Sequence, residues 1–267
     1  MSKLTGRAIS MSLPRRWVAD LLSVSAGIPL IPTERLWNVA PLMDAKRELA
    51  SSPGWAALIV KAFALTAMRN PVLRRCYVRF PWAHLWQADR SIVSVTVARE
   101  YEGEPAVFFF HLHAPELMRL ELVQAHLTDA KTLPAESIRN YHRVIRLSRW
   151  PKLVRRFIWS YGYHRNGRTR AKNFGTIGLS TTAGAGSRLT HLISPLAATL
   201  SYGPIAEDGT MAATLVFDHR VMDGVSAAEA LVEMERTLNG EILDELTGYG
   251  RATEPLSATF PGACPTR

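Results

Sequence analysis

Phe217-Asp218-His219-Arg220-Val221-Met222-Asp223-Gly224 ends an apolar run in a histidine and follows it, four residues on, with an Asp-Gly pair. Met211 to His219 has the β-branched and aromatic content of a strand, so the histidine arrives at a strand's end. Gly224 allows the chain to turn through conformations that other residues resist. Ser226-Ala227-Ala228-Glu229 then has the form of a capping box, and it predicts a helix through Leu231, Met234 and Leu238 that stops at Asn239-Gly240. A histidine ending an apolar strand is more often a packed or surface residue than a catalyst. The turn and the helix start around His219 set it apart, and an imidazole titrating near neutrality is suited to taking a proton from a thiol or hydroxyl.

Working outward, Ala197 to Gly203 and Thr176 to Thr181 read as strands, with Glu207-Asp208-Gly209 a hairpin turn before the histidine strand. Ser91 to Ala98 and Ala106 to Leu112 form a second strand pair about Gly103-Glu104-Pro105. Trp55 to Arg69 repeats Leu58, Ile59, Ala62, Leu65 and Thr66 at helical spacing and stops before Pro71. Val39 to Leu49 and Pro115 to Thr128 are further helices, and Ile28 to Pro32 is an extended lead-in. Residues 1–25 read as an N-terminal arm, with one or two amphipathic turns at Trp17 to Leu22. Residues 247–267 read as a disordered tail holding Pro255, Pro261 and Pro265. The order of elements predicts an α/β protein with a mixed or largely antiparallel sheet.

The 267 residues suffice for one large domain. Cys76 and Cys264 support neither a disulfide framework nor a cysteine-based zinc site. No apolar run near the N-terminus is long enough for a signal peptide or a membrane span, and a cytoplasmic location is expected. The net charge of +9 is concentrated: of 32 Lys and Arg, twelve lie between Ser137 and Ala206 with no Asp or Glu among them, leaving 20 against 23 acidic residues elsewhere. Within residues 141–172 the cations alternate with Val144, Leu147, Trp150, Leu153, Phe157 and Trp159. Two readings stand side by side: a segment in an anionic membrane interface, peripheral to its inner face, and a solvated helix packed on its own core. Nucleic acid ranks below both, because no recognition motif accompanies the patch.

The His219 segment resembles the active-site signature of the acyltransferase (E2) components of 2-oxoacid dehydrogenase complexes, which share a fold with chloramphenicol acetyltransferase. Gly175-Thr176-Ile177-Gly178-Leu179-Ser180 resembles the family's Gly-Thr-Phe-Thr-Ile-Ser strand, and Ala56 to Leu73 is similar to its first-half helix. The resemblance implies a chloramphenicol acetyltransferase-like two-layer sandwich with a mixed β-sheet, its catalytic domain over residues 26–246 and residues 141–172 as a basic insertion. It implies His219 as general base, Ser180 as the hydroxyl that stabilises the tetrahedral oxyanion, and Asp223 as a structural residue fixing the turn, buried with a partner such as Arg220. Asp218 alternates to the other side of the strand and is expected at a surface or interface.

Thr181 and Thr182 are adjacent donors that a slip of one residue would exchange with Ser180. Gly184 and Gly186 are candidates for a loop beside coenzyme A, although a glycine-rich loop without Lys or a following helix is a weak phosphate signal. No metal is implied. The family assembles as trimers or multiples of trimers, with the site between subunits. No lipoyl domain precedes the catalytic region, which points to acyl-CoA as donor to a small or lipid-like acceptor. Two alternatives remain: a catalytically inactive scaffold or membrane-associated subunit of the same fold, and an E2-like subunit served by a lipoyl domain on another chain.

Overall fold

The histidine strand, β8 (Thr210–Asp218), is buried along most of its length because strands flank it on both sides. A computed structural model describes residues 5–49 and 51–249. Its six-stranded sheet has the order β1-β8-β7-β6-β4-β5, where β1 is Leu30–Asn38, β4 Ile92–Tyr101, β5 Glu104–His113, β6 Ile177–Leu179 and β7 Ala198–Ile205. The β4–β6 and β6–β7 pairs are parallel and the others antiparallel, so the sheet is mixed. A separate hairpin joins β2 (Arg75–Val78) to β3 (His84–Gln87). β1 extends well past the lead-in expected at Ile28 to Pro32. Pro32 falls inside it, which an edge strand tolerates because one side of its backbone needs no ladder partner.

One face of the sheet presents Val93, Val95, Val97, Ile177, Leu179, Leu200, Leu215 and Phe217, every second residue of each strand, to the main core. Over it lie α2 (Ala40–Glu48), α3 (Trp55–Arg69), α4 (Leu120–Thr132), α8 (Gly224–Thr237) and α9 (Leu243–Tyr249). α3 contributes Leu58, Ile59, Phe63 and Ala67, and its limits are those its periodicity and Pro71 predict. α8 does not stop at Asn239-Gly240. Leu238 and Ile242 are fully buried, and the chain stays helical through a π-turn over Leu238–Ile242 and into α9. There Glu245 accepts from the backbone N–H of Leu120 at 2.8 Å and pairs with the buried Lys61.

The opposite face is covered over part of its width by four more helices: α1 (Leu13–Ser25), α5 (Arg139–Ser148), α6 (Lys152–His164) and α7 (Gly167–Phe174). The region expected as an arm therefore holds a packed helix, and its residues 1–4 lie outside the described residues. α1 buries Trp17 against Tyr101, Phe108 and Tyr141, with the indole N–H donating to the Val107 carbonyl at 2.8 Å. Its Asp20 accepts from Arg155 of α6 at 2.6 Å, with both side chains buried. The basic segment divides between roles: α5 buries Tyr141 and Ile145, and Tyr163 and Phe174 form a small cluster with Leu21 and Leu196. The expected tail begins inside α9, and its remainder from residue 250 onward lies outside the described residues.

Candidate functional site

β8 pairs with β7 as far as the Asp218 N–H, which donates to the Ala197 carbonyl at 2.9 Å; the His219 N–H then donates to the Pro29 carbonyl at 3.0 Å. A tight turn follows, with the N–H groups of Val221 and Met222 both donating to the Asp218 carbonyl. Burial of Val221 and Met222 anchors this turn and leaves His219 exposed at its edge. His219 Nδ1 lies 3.1 Å from the Met222 carbonyl oxygen. A carbonyl only accepts, so Nδ1 is the donor of this pair, and in the neutral ring Nε2 is the nitrogen left to accept. The Phe217 ring lies edge-on to the imidazole, 5.9 Å between centroids, and limits its tilt.

The two carboxylates exchange the places expected of them. Asp218 is fully buried and accepts from the Arg220 backbone N–H at 3.0 Å, from Nε at 2.9 Å and from Nη2 at 2.8 Å. Arg220 in turn covers the Tyr77 ring, 4.5 Å from its centroid, and its pairing with Asp218 holds its pKa above the ordinary arginine value. Asp223 is exposed and caps α8 by accepting from the Ser226 N–H at 2.8 Å, which lowers its pKa. The cap is Asp223, not Ser226, which lies inside the helix. Strand alternation alone puts Asp218 on a face open to solvent or an interface, whereas Tyr77 and the helices on that face cover it.

Ser180 follows β6 directly, its backbone N–H donating to the Leu200 carbonyl at 3.0 Å. Gly175 and Gly178 fix this strand's course. Gly175 has φ +96°, and a Cβ on Gly178 would come within 2.9 Å of Leu196. Of the three candidate hydroxyls, Thr181 donates to the Tyr202 carbonyl at 2.7 Å and accepts from the Ala183 N–H, while Thr182 accepts from Ser187 at 2.9 Å. The half-buried Ser180 hydroxyl makes no hydrogen bond among the described residues, so it is the one available to a ligand. Gly184 lies in an exposed single turn, Ala183–Ala185, which Gly186 closes at φ +71°.

The sheet register separates Ser180 from His219. Ser180 continues the β6–β7 register to the level of Ser201, and His219 continues the β7–β8 register to the level of Leu196. Five residues along the sheet at ~3.3 Å each and two strand spacings of ~4.8 Å put the two roughly 15–20 Å apart. One chain therefore does not bring the His219 imidazole and the Ser180 hydroxyl together.

Sequence reasoning missed the space under the added helices. A cavity of about 100 Å³ is lined by Ser94, Thr96, His111, Trp159, Phe174 and Thr199, among others. Burial, followed by the charges of His113 and Arg143, pushes the His111 pKa down to about 4, so the imidazole is neutral. The available signal was a histidine within the apolar run Phe108-Phe109-Phe110-His111-Leu112.

No protein-family model matches the sequence, and no curated protein does. The fold does match solved structures. A truncated catalytic core of the 2-oxoacid dehydrogenase multienzyme complex from Thermoplasma acidophilum aligns with a TM-score of 0.63 at 13% identity, over 88% of this chain and 99% of that one. A dihydrolipoamide acetyltransferase from Azotobacter vinelandii aligns with a TM-score of 0.62 at 14% identity, over 90% and 94% of the two chains. That enzyme was studied for the catalytic role of a serine, a histidine and an asparagine four residues beyond the histidine. A chloramphenicol acetyltransferase aligns with a TM-score of 0.51 at 12% identity, over 82% and 94%. The chain thus has the acyltransferase fold expected from the His219 segment, and at these identities the likeness is one of fold.

Proposed function

We propose that this protein is a CoA-dependent acyltransferase in which His219 is the general base. The observation that carries the reading is the exposed His219 imidazole at the end of β8, held through Nδ1 by the Met222 carbonyl so that Nε2 is the ring nitrogen free for an acceptor. In the proposed reaction Nε2 takes the proton of an acceptor thiol or hydroxyl as that atom attacks the thioester carbonyl. The tetrahedral oxyanion accepts a hydrogen bond from Ser180, and a single well-aimed donor of this kind is worth on the order of 3 kcal/mol. Collapse breaks the carbon–sulfur bond, and the imidazolium returns its proton to the departing CoA thiolate.

Because Ser180 is too far from His219 in one chain, a neighbouring copy supplies it. That supports a trimer, or a multiple of trimers, with sites between subunits. Gly184 and Gly186 border the Ser180 end and would flank the CoA, with Thr181 and Thr182 shaping the loop. The exposed Leu153, Val154, Phe157 and Tyr161, spaced for one side of α6, with Trp150 just before it and Lys152 and Arg156 among them, support peripheral attachment to an anionic membrane.

Thiol release from a series of acyl-CoAs, with and without candidate nucleophiles, tests the reaction. Acceptor-dependent release that His219→Ala abolishes is the expected result; no release from any acyl-CoA would leave an inactive scaffold. Acetyl exchange with dihydrolipoamide alone would identify the lipoyl-dependent alternative, which the Azotobacter vinelandii neighbour's activity favours.

A further inference from the structure

A second cavity, about 390 Å³, opens between α1, α6 and β2, and Arg220, next in sequence to His219, forms part of its wall. Three arginines reach it, Arg79, Arg156 and Arg220, together with His164, Ser160 and Tyr163. Arg220 is matched by Asp218, and the neighbouring Arg155 by Asp20. Arg79 and Arg156 pair with no carboxylate among the described residues. The cavity therefore carries two uncompensated positive charges. Tyr163 is buried in the wall, its hydroxyl beside Arg220.

We propose that this cavity binds a phosphate monoester. Two guanidinium groups match a dianion in charge, and their forked N–H groups match phosphate oxygens in geometry. A carboxylate or a phosphodiester, each with one charge, would leave one arginine unmatched. An inorganic phosphate fills only part of the volume, which leaves room for the group esterified to it. His164 fits the same picture: burial, then the charges of Arg170, Arg79 and Arg220, lower its pKa, and Asp20, the carboxylate that also lines the cavity, is taken up by Arg155. Binding stands on the cavity alone. That the phosphate belongs to a substrate of His219 rests on the acyl-transfer reading, through the adjacency of Arg220.

Calorimetric titration of the full chain with inorganic phosphate, at constant ionic strength and at a pH where phosphate is mainly dianionic, tests the site. Saturable binding at least ~10-fold tighter than that of acetate is expected, with a further loss of ~10-fold or more in the Arg79→Gln/Arg156→Gln double variant. The control Lys131→Gln/Arg139→Gln, with equal charge removed from exposed positions elsewhere, should bind as the wild type does. Phosphate no tighter than acetate, or equal losses in both double variants, overturns the proposal. Given binding, three arms separate the sources of the monoester. Displacement of phosphate by CoA but not by dephospho-CoA identifies the CoA 3′-phosphate. Displacement by phosphatidic acid vesicles but not by phosphatidylglycerol vesicles identifies a lipid headgroup, and displacement by neither identifies a soluble acceptor. Thiol release without phosphate binding would sink this site and leave the acyltransferase reading standing; binding without thiol release would do the reverse.

Discussion

At the scale of the residue, the hydrogen bond from His219 Nδ1 to the Met222 carbonyl is made by a turn whose other anchors, Val221, Met222 and Asp218, are buried. Removing the exposed imidazole should leave this turn in place, so His219→Ala is expected to melt as the wild type does while turnover falls by roughly 10² to 10⁴. Ser180→Ala should lower turnover less, with little change in KM, because its hydrogen bond is made chiefly in the transition state. Steady-state kinetics on the two variants checks both; full activity in His219→Ala would remove the central claim. His111 gives a pH dependence of known sign. Its folded pKa, about 4, lies below the ordinary 6.5, so between these values the unfolded chain binds the extra proton and stability falls as pH falls. The slope is about 1.4 kcal/mol per pH unit below pH 6.5, flattening near pH 4. Denaturant unfolding of wild type and His111→Leu from pH 7 to 5 should show the stability difference moving by roughly this slope; a constant difference would mean that His111 takes up its proton in the fold as it does in the unfolded chain.

At the scale of the element, what was legible in the sequence was what local chemistry decides. α3 follows from the spacing of Leu58, Ile59 and Ala62 and from Pro71, and the β7–β8 hairpin from Glu207-Asp208-Gly209. The strand and helix around His219 follow from the apolar run and from Asp223, whereas Gly224, expected to supply an unusual turn conformation, is simply the first residue of α8 and has no positive φ. What was not legible depended on which surface covers which face. α1 reads as part of a loose arm because it gains its order only from distant partners, Phe108, Tyr141 and Arg155. Asp218 and Asp223 changed places for the same reason. The pair that ties α1 to α6 is testable. Asp20→Ala leaves Arg155 as a buried, unpaired charge and should cost about 3–5 kcal/mol, whereas Asp20→Leu with Arg155→Met should cost far less. Equal losses in urea unfolding would show that packing, not pairing, holds α1. The outer side of α6 makes a different prediction. Leu153 and Phe157 are 82% and 70% exposed, and a cation near an anionic bilayer is worth about 1 kcal/mol. The protein should co-sediment with anionic liposomes and partly release in high salt, and a variant carrying Arg149→Gln, Lys152→Gln, Arg155→Gln and Arg156→Gln should stay in the supernatant. The quartet includes the buried Arg155, so Leu153→Ser/Phe157→Ser serves as a second variant that leaves the Asp20 pair intact. Wild type remaining soluble with anionic vesicles at low salt would withdraw the membrane reading.

At the scale of the whole molecule, the sheet makes the proposed site a property of the assembly. β6 and β8 run in opposite directions on either side of β7, so the residues that follow them, Ser180 and His219, emerge at opposite ends of the same sheet. No side-chain rotation closes a gap of roughly 15–20 Å. If the site forms between copies, closed threefold symmetry gives every site one chain's His219 and the next chain's Ser180. His219→Ala and Ser180→Ala proteins, each impaired alone, should then complement each other when unfolded together in equal amounts and refolded. Random assembly places an intact serine beside an intact histidine in the correct order in about one site in four. The mixture should therefore reach roughly a quarter of wild-type turnover per chain, with each parent refolded alone as the control and light scattering confirming trimers. A mixture no more active than the mean of its parents would show that base and oxyanion donor come from the same chain, and would force Ser180 out of the mechanism, because this sheet cannot bring it to His219.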